Sequence, residues 1–216
     1  MEKHKYYGQK GIDSYLNDNF INNKRDGFFV ECGAGEGVID SSCKFFEETL
    51  GWTGINIEPV PKMYTRLVEN RPKCFNSNFA LSDKEEKASF LYPIHHKLEF
   101  FGNGSLTHTK EHLADLKRLN YKFETYDVQC IKFSSLWKSI GKDIRRKGID
   151  LFVLDVEGHE LQALEGILPT KPKILCIEYP WIGLNNIEEK IIPYSYILAG
   201  IHHNNAIFVL HNKENT

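Results

Sequence analysis

Residues 28–37 read Phe28-Phe29-Val30-Glu31-Cys32-Gly33-Ala34-Gly35-Glu36-Gly37, a short apolar segment that runs directly into a glycine-rich turn. The apolar segment predicts a strand buried on both faces, as in a parallel sheet. Glycines in the turn let the backbone bend tightly and approach a ligand closely. A strand, a glycine-rich turn and a following helix are together typical of nucleotide-binding α/β folds.

Strand-like and helix-like segments alternate along most of the chain. Short runs rich in β-branched and aromatic residues predict strands at residues 28–30, 52–57, 150–154, 174–177 and 206–210. Segments with helical spacing of apolar residues lie between them, at 38–50, 61–69 and 158–168. The first four runs show little alternation of polar and apolar residues, so the pattern predicts an α/β fold with a parallel sheet.

Residues 92–130 interrupt this alternation. The segment is rich in His, Lys, Asn and Gly, and only residues 110–119 have the spacing of an amphipathic helix. We interpret it as an inserted loop or lid over the binding site, within a single domain that spans residues 1–216. Three aromatic or glycine-rich segments, at 97–101, 102–105 and 179–181, are candidates for contact with a bound ligand.

The composition argues against several classes of protein. The chain has 216 residues, with 27 Lys and Arg against 29 Asp and Glu, and its net charge is −2. This balance argues against a nucleic-acid binder and a polybasic membrane-surface protein. The apolar runs are too short for a membrane span, and the N-terminal residues lack the apolar core of a secretory signal. The odd number of cysteines, 5, without a CxxC motif predicts free thiols and a cytoplasmic protein.

The spacing of the glycines and the acidic residues beside them bear on the ligand. The dinucleotide pattern GxGxxG would place its third glycine one residue after Gly37, which disfavours an NAD-dependent oxidoreductase. Glu31 and Glu36 would be unfavourable neighbours for a pyrophosphate. They suit a cationic ligand better, and the ammonium and sulfonium groups of S-adenosylmethionine are such cations.

Glu58 ends the second predicted strand, 21 residues after Gly37. In nucleotide-binding α/β folds an acidic residue at this strand end accepts hydrogen bonds from the ribose hydroxyls, about 20 residues beyond the loop. The alternative is that residues 33–37 are merely a tight turn and Glu58 is a solvated strand end. The spacing of 21 residues between Gly37 and Glu58 favours a binding site over this alternative.

Residues 155–160, Asp155-Val156-Glu157-Gly158-His159-Glu160, crowd ionisable side chains at the turn after the third predicted strand. Ligands in open α/β sheets bind beyond the carboxyl ends of the strands, so this turn should face the glycine-rich turn. Asp155, Glu157 and His159 are candidate catalytic residues that would orient an acceptor hydroxyl or take its proton. The alternative for Glu157 and Glu160 is stabilisation of a helix N-terminus. Carboxylates here could also hold Mg²⁺, but no metal is predicted.

These segments, in this order, resemble the FkbM-type S-adenosylmethionine-dependent methyltransferases. The likeness spans roughly residues 9–180 and leaves residues 92–130 largely uncovered. It is carried by Gln9, Asp13 and the segments 27–37, 50–54, 57–61, 69–71, 80–83 and 155–160, with Leu164 and Gly166 behind the last. Two positions depart from the family pattern, since Val153 stands where many members have lysine and Glu36 where the loop often has Asp or Asn.

The resemblance implies a Rossmann-like class I methyltransferase fold, with a seven-stranded, mostly parallel sheet and helices on both faces. It implies that residues 92–130 are a variable insertion on the acceptor side, and that Asp155 stands between cofactor and acceptor. It also implies the residues that bind S-adenosylmethionine: Glu31, Gly33 and Gly35 at its methionine end, Glu58 at the ribose, Ala80, Leu81 and Ser82 near the adenine, and Ala34 and Pro59 beside them.

The implied function is O-methylation of a hydroxyl group on a small molecule, most of all a sugar or glycoconjugate precursor. Polyketide-type natural products are the other acceptors that the resemblance suggests. The expected partner is this acceptor, with no nucleic acid and no membrane, and the oligomeric state stays open, a homodimer included. The competing interpretation is a non-catalytic protein that binds S-adenosylmethionine without turnover.

Overall fold

The computed structural model describes residues 5–95 and 102–211, so the predicted contact segment 97–101 lies outside the described residues. The strands in these ranges are β1 (Phe28–Cys32), β2 (Thr53–Ile57), β3 (Phe75–Ser77), β4 (Ala80–Leu81), β5 (Lys87–Ile94), β6 (Lys122–Ile131), β7 (Leu151–Leu154), β8 (Ile174–Glu178), β9 (Tyr196–His202) and β10 (Asn205–Leu210). The α-helices are α1 (Ile12–Leu16), α2 (Lys44–Leu50), α3 (Pro61–Asn70), α4 (Lys110–Arg118), α5 (Phe133–Ser139), α6 (Lys142–Lys147), α7 (Glu160–Ile167) and α8 (Leu184–Ile191). No helix within the described ranges is long and apolar enough to cross a bilayer.

The main sheet of the described chain has seven strands, in the spatial order β3-β2-β1-β7-β8-β10-β9. The strands from β3 to β8 in this order run parallel to their neighbours. Only β10 reverses the direction, because it pairs antiparallel with both β8 and β9. The predicted seven-stranded, mostly parallel α/β sheet is therefore confirmed.

Helices cover both faces of this sheet, because its central strands are buried on both sides. Phe28 and Val30 of β1 belong to an apolar cluster with residues of α5, α7 and α8. Phe29, which points to the opposite face, packs in a second cluster with Phe45 and Phe46 of α2 and with residues of α1. Successive side chains along β1 alternate between the two faces of the sheet, so the strand contacts the helices on both sides.

Two predicted helices begin later than their apolar spacing indicates. The helix predicted over 38–50 begins at Lys44, because residues 38–43 instead fold over the buried carboxylate of Glu31. The helix predicted over 158–168 begins at Glu160, because Glu157 and Gly158 have φ values of +56° and +103°. Left-handed backbone at these two positions cannot continue a right-handed helix.

In the described part of residues 92–130, the helix predicted over 110–119 is confirmed as α4, whereas the expectation that the rest is an irregular loop was wrong. Strand β5 pairs antiparallel with β6 over eight residues of each strand, and the far end of β6 pairs parallel with β4. Helix α4 lies between the two strands in sequence. Phe90, Tyr92, Val128 and Cys130 form a third apolar cluster with Val60 and Met63. A small second sheet therefore stands beside the carboxyl ends of the main strands.

Candidate active site

A cavity of about 410 Å³ lies beyond the carboxyl ends of the parallel strands. The turns after β1, β2, β7 and β8 meet there, as expected for an open α/β sheet. Most residues predicted for the site line this cavity: Gly33, Ala34, Gly35, Glu58, Pro59, Ala80, Leu81, Asp155, Glu157 and His159. Glu31 and Ser82, which were also predicted, are absent from its lining.

Gly33 brings the glycine-rich turn into direct contact with the turn after β7. Its φ is +84°, and a Cβ atom built there would stand 1.9 Å from the carbonyl oxygen of Asp155. Only glycine allows both this backbone conformation and this approach. Gly35, with φ of +55°, has open space around it, since its nearest neighbour would be the Met63 Sδ at 3.9 Å.

The Glu58 carboxylate holds the glycine-rich turn against the end of β2. Its Oε2 accepts a hydrogen bond of 3.0 Å from the Gly35 N–H, and its Oε1 accepts one of 2.8 Å from the Val60 N–H. Burial raises the pKa of Glu58 to about 7. Each carboxylate oxygen retains a second acceptor position, so Glu58 can still accept hydrogen bonds from a ligand hydroxyl in the cavity.

The Glu31 side chain is buried beneath the segment that leads into α2. The residue is 3 % exposed, and its carboxylate accepts hydrogen bonds from Ser41 Oγ at 2.9 Å, the Ser42 N–H at 2.6 Å and the Cys43 N–H at 3.2 Å. Ser41 and Ser42 line the cavity, although Glu31 itself does not. The cofactor contact that the resemblance implies for Glu31 stays a prediction.

Arg71 and Asn70, at the end of α3, fix the outer part of the glycine-rich turn. The fully buried Arg71 guanidinium donates to the Gly37 carbonyl at 3.1 Å and also contacts Glu31, Glu47 and Ser41. Asn70 Nδ2 donates to the Glu36 carbonyl at 2.8 Å and to its carboxylate. The sequence analysis gave these residues no role, and only their place in the family-like segment 69–71 pointed to them.

Three carboxyl groups meet on the other side of the cavity, from Asp155, Glu157 and Glu178. One oxygen atom of each lies within 4.8 Å of the other two. Burial and the mutual repulsion of these groups raise the pKa of Asp155 and Glu157 well above their usual range, and burial raises that of Glu178 to about 7. Glu178 was missed by the sequence analysis, although it follows the apolar run 174–177 just as Asp155 follows the run 150–154.

His159 lines the cavity, but both of its ring nitrogens are already engaged. Nδ1 lies 3.0 Å from the Thr107 hydroxyl and Nε2 lies 3.1 Å from the Ser82 hydroxyl. Burial lowers the pKa of His159 to about 4, so the imidazole is neutral near pH 7. His159 is therefore a weak base that links two loops, and Ser82 supports it from behind instead of lining the cavity.

The helix-terminus alternative, raised for both Glu157 and Glu160, fits Glu160 and not Glu157. The Glu160 carboxylate accepts hydrogen bonds from the Val156 and Gly158 N–H groups at 3.0–3.1 Å, so it stabilises the turn before α7. The Glu157 carboxylate instead accepts a hydrogen bond of 3.0 Å from the Trp181 indole N–H. Glu157 is therefore part of the cavity wall and not a helix cap.

The second sheet and its loop supply the remaining wall of the cavity, through Phe90, Tyr92, Gly102, Asn103, Gly104 and Leu106. Ser105 fixes this wall to the turn after β7, because its hydroxyl donates to the Val156 carbonyl at 3.0 Å. Trp181 stacks on His112 of α4 with ring centroids 3.9 Å apart. The cavity thus lies between a glycine-rich half and a half built from aromatic, amide and carboxylate groups.

A sheet of this order, with a glycine-rich turn after its central strand and an acidic residue after the next, defines a Rossmann-like methyltransferase. Residues 31–205 match the family model described as the methyltransferase FkbM domain. The chain belongs to this family and is an S-adenosylmethionine-dependent methyltransferase, as the resemblance implied.

Solved structures show a distant likeness of fold. A TehB-like SAM-dependent methyltransferase from Corynebacterium glutamicum is 10 % identical, with 96 % of this chain and 89 % of that chain covered and a TM-score of 0.46. The Methanococcus jannaschii fibrillarin pre-rRNA processing protein is 11 % identical, with 92 % and 74 % covered and a TM-score of 0.46. No curated protein matches the chain.

Proposed function

We propose that the protein transfers the methyl group of S-adenosylmethionine to a hydroxyl oxygen of a small molecule, with sugars and glycoconjugate precursors as the first acceptors to test. The observation that carries this proposal is the carboxyl cluster of Asp155, Glu157 and Glu178 at the edge of the glycine-loop cavity. Carboxyl groups accept hydrogen bonds from hydroxyls and can take their protons. The free thiols of the five cysteines support a cytoplasmic location.

The cavity residues fit the cofactor by their chemistry. Glu58 is placed to accept hydrogen bonds from ribose hydroxyls, and Ala80 and Leu81 provide an apolar surface for the adenine. Gly33 and Gly35, with Ala34 and Pro59 nearby, let the backbone approach the ligand closely. When bound, S-adenosylmethionine supplies an electrophilic methyl group on a sulfonium ion.

The chain's own contribution is to hold the acceptor oxygen and to accept its proton. Methyl transfer requires the acceptor oxygen to be close to the methyl carbon and in line with the bond that breaks. Asp155 and Glu157 stand where the glycine-rich half meets the acceptor half, and burial and mutual repulsion raise the pKa of both, which makes each a stronger base once it is ionised. We assign His159 to positioning, because Thr107 and Ser82 occupy its nitrogens.

Calorimetric titration with S-adenosylmethionine and S-adenosylhomocysteine, and with NAD as a control ligand, tests the cofactor site. We expect both sulfur compounds to bind and NAD to give no heat. Glu58→Ala should weaken both by about 10- to 100-fold, since hydrogen bonds to a charged group contribute about 1.5–3 kcal/mol. Glu69→Ala, at the exposed end of α3, is the matched control and should bind like the wild type.

Turnover with hydroxylated sugars then separates an enzyme from a non-catalytic binder. Asp155→Asn should retain the binding of S-adenosylhomocysteine and lose methyl transfer. Full turnover in this variant would contradict the role of Asp155. Cofactor binding with no acceptor turned over by the wild type would favour the non-catalytic alternative.

A further inference from the structure

We propose that Asp155, Glu157 and Glu178 bind a divalent cation of the oxygen-preferring class, Mg²⁺, Mn²⁺ or Ca²⁺, at the acceptor side of the cavity. One carboxylate oxygen from each residue lies within 4.8 Å of the others. Ions of this class bind oxygen atoms at about 2.0–2.6 Å, so ligands on one ion stand no more than about 5 Å apart. The three side chains come from the ends of β7 and β8, two adjacent and rigid parallel strands.

The cluster has few cationic neighbours in the described ranges, where Lys10 lowers the pKa of Glu178 and His112 lies 3.6 Å from Glu157. No Lys or Arg within residues 5–95 and 102–211 forms an ion pair with any of the three carboxyl groups. Two other carboxylates of the same sheet have such partners, whereas the buried Glu58 and Glu160 have none in the described chain. Asp150 pairs with Lys24 at 2.6 Å and Lys173 at 2.8 Å, and Glu31 pairs with Arg71. Buried charges are costly unless they are paired or coordinate a metal ion.

A buried histidine nitrogen without a partner is directed at the same cluster. His112 is 2 % exposed, and its Nδ1 has no hydrogen-bond partner among the described residues but stands 3.6 Å from Glu157 Oε2. Its Nε2 lies 3.3 Å from the Asn103 side-chain oxygen. In the tautomer with the proton on Nε2, the lone pair of Nδ1 faces the cluster and could bind a cation or its water.

Two further observations support a bound cation at the cluster. Oε2 of Glu178 is buried and without a hydrogen-bond partner in the described chain. Trp181 stacks on the His112 ring and donates its indole N–H to Glu157 Oε2, so it fixes both groups in place. First-shell carboxylates and imidazoles in metal sites are held by such outer contacts.

The chemical role of the ion rests on the proposed function, whereas the binding of the ion does not. An acceptor hydroxyl oxygen bound to the ion would have a lower pKa, because the cation stabilises the deprotonated oxygen. A carboxylate oxygen of Asp155 or Glu157 that does not bind the ion could still take the proton. Binding of the ion itself can be tested without cofactor or acceptor.

The experiment is a titration of the metal-free protein with MnCl₂ alone at pH 8, in which free Mn²⁺ is followed by its electron paramagnetic resonance signal. We expect one site per chain, with Mg²⁺ and Ca²⁺ as competitors. Glu178→Gln and Glu157→Gln should each weaken Mn²⁺ binding by more than about tenfold, since even loss of an outer-shell contact typically costs 10- to 100-fold. Asp40→Asn, which removes a carboxylate from the same cavity, is the matched control and should bind Mn²⁺ normally.

Binding of S-adenosylhomocysteine in EDTA, measured on the same preparations, keeps the result interpretable. A variant that binds S-adenosylhomocysteine like the wild type but has lost Mn²⁺ binding supports the cation site. Wild-type protein that binds S-adenosylhomocysteine but no Mn²⁺ overturns the cation site and leaves the proposed function standing. Mn²⁺ binding that survives in both variants also overturns it. A failure of the proposed function would appear separately, as wild-type protein that binds no S-adenosylhomocysteine.

Discussion

At the scale of single residues, sequence position indicates which side chains lie near the cavity but not where each one points. Glu58 and Asp155 follow apolar runs, and both line the cavity. Glu31 lies one residue before the end of β1, and successive side chains in a strand alternate, so its carboxylate lies on the opposite face of the sheet from Cys32 and is covered by Ser41 and Ser42 of the cavity wall. Its partner Arg71 is 40 residues further along the chain, a contact that no local pattern encodes.

Gly33 and Gly35 provide a matched pair for testing the glycine-rich turn. Gly33→Ala should destabilise the protein by about 3 kcal/mol or more and abolish cofactor binding, because the new Cβ would stand 1.9 Å from the Asp155 carbonyl at a φ of +84°. Gly35→Ala should cost only about 1 kcal/mol, since only its φ of +55° is unfavourable. Urea unfolding and calorimetry check both, and equal effects of the two substitutions would contradict this assignment.

At the scale of elements, the buried strands are readily predicted and the small sheet is not. Strands β1, β7 and β8 are continuous apolar runs, because both of their faces are covered. Only the last three residues of β5 fall within the segment 92–130, and half of the residues of β6 are polar and exposed, so the composition of that segment suggests a loop. Helix starts are also hard to predict. The start of α2 depends on hydrogen bonds to the distant Glu31 side chain, and the start of α7 depends on the left-handed backbone of Glu157 and Gly158.

The contact between α3 and α2 depends on Arg71. Arg71→Met should destabilise the protein by about 3–5 kcal/mol, because it leaves Glu31 and Glu47 buried without their cation. Arg66→Met removes a similar side chain from the same helix, but its pairing with Glu69 is exposed, so the cost should be below about 1 kcal/mol. Thermal and urea unfolding measure both values. A mild effect of Arg71→Met would mean that the two carboxyl groups are held neutral.

At the scale of the whole molecule, the cavity concentrates buried acidic groups in a protein with an almost balanced total charge. Burial raises the pKa of Glu58, Glu160 and Glu178 to about 7. In the unfolded chain these groups titrate near their usual value of about 4.3. Between these pH values the folded protein holds more protons than the unfolded chain, so their ionisation opposes folding as the pH rises.

Stability of the cofactor-free protein in EDTA should therefore fall by at least about 2 kcal/mol between pH 6.5 and 8.5, because burial also raises the pKa of Asp155, Glu157 and the five cysteines, which act in the same direction. His112 and His159, with pKa values lowered to about 4, act in the opposite direction, but only below about pH 6.5, where unfolded histidine becomes protonated. The measurement is urea unfolding across this pH range. Stability that is constant or increases with pH would contradict this prediction and show that other groups of the folded protein stabilise the ionised carboxylates.

The small sheet of β4, β5 and β6 has a consequence for how such proteins diversify. Its apolar cluster shares no residue with the two clusters that hold the main sheet together. Phe90, Tyr92 and Asn103, which line the cavity, belong to this unit or its loop, whereas Gly33 and Glu58 belong to the main sheet. Strand β4, with Ala80 and Leu81, is the part of this unit that also packs on the main core and is proposed to contact the adenine. Substitutions in β5 and its loop can therefore alter one wall of the cavity and leave the glycine-rich turn and Glu58 intact, a modular route to new specificities.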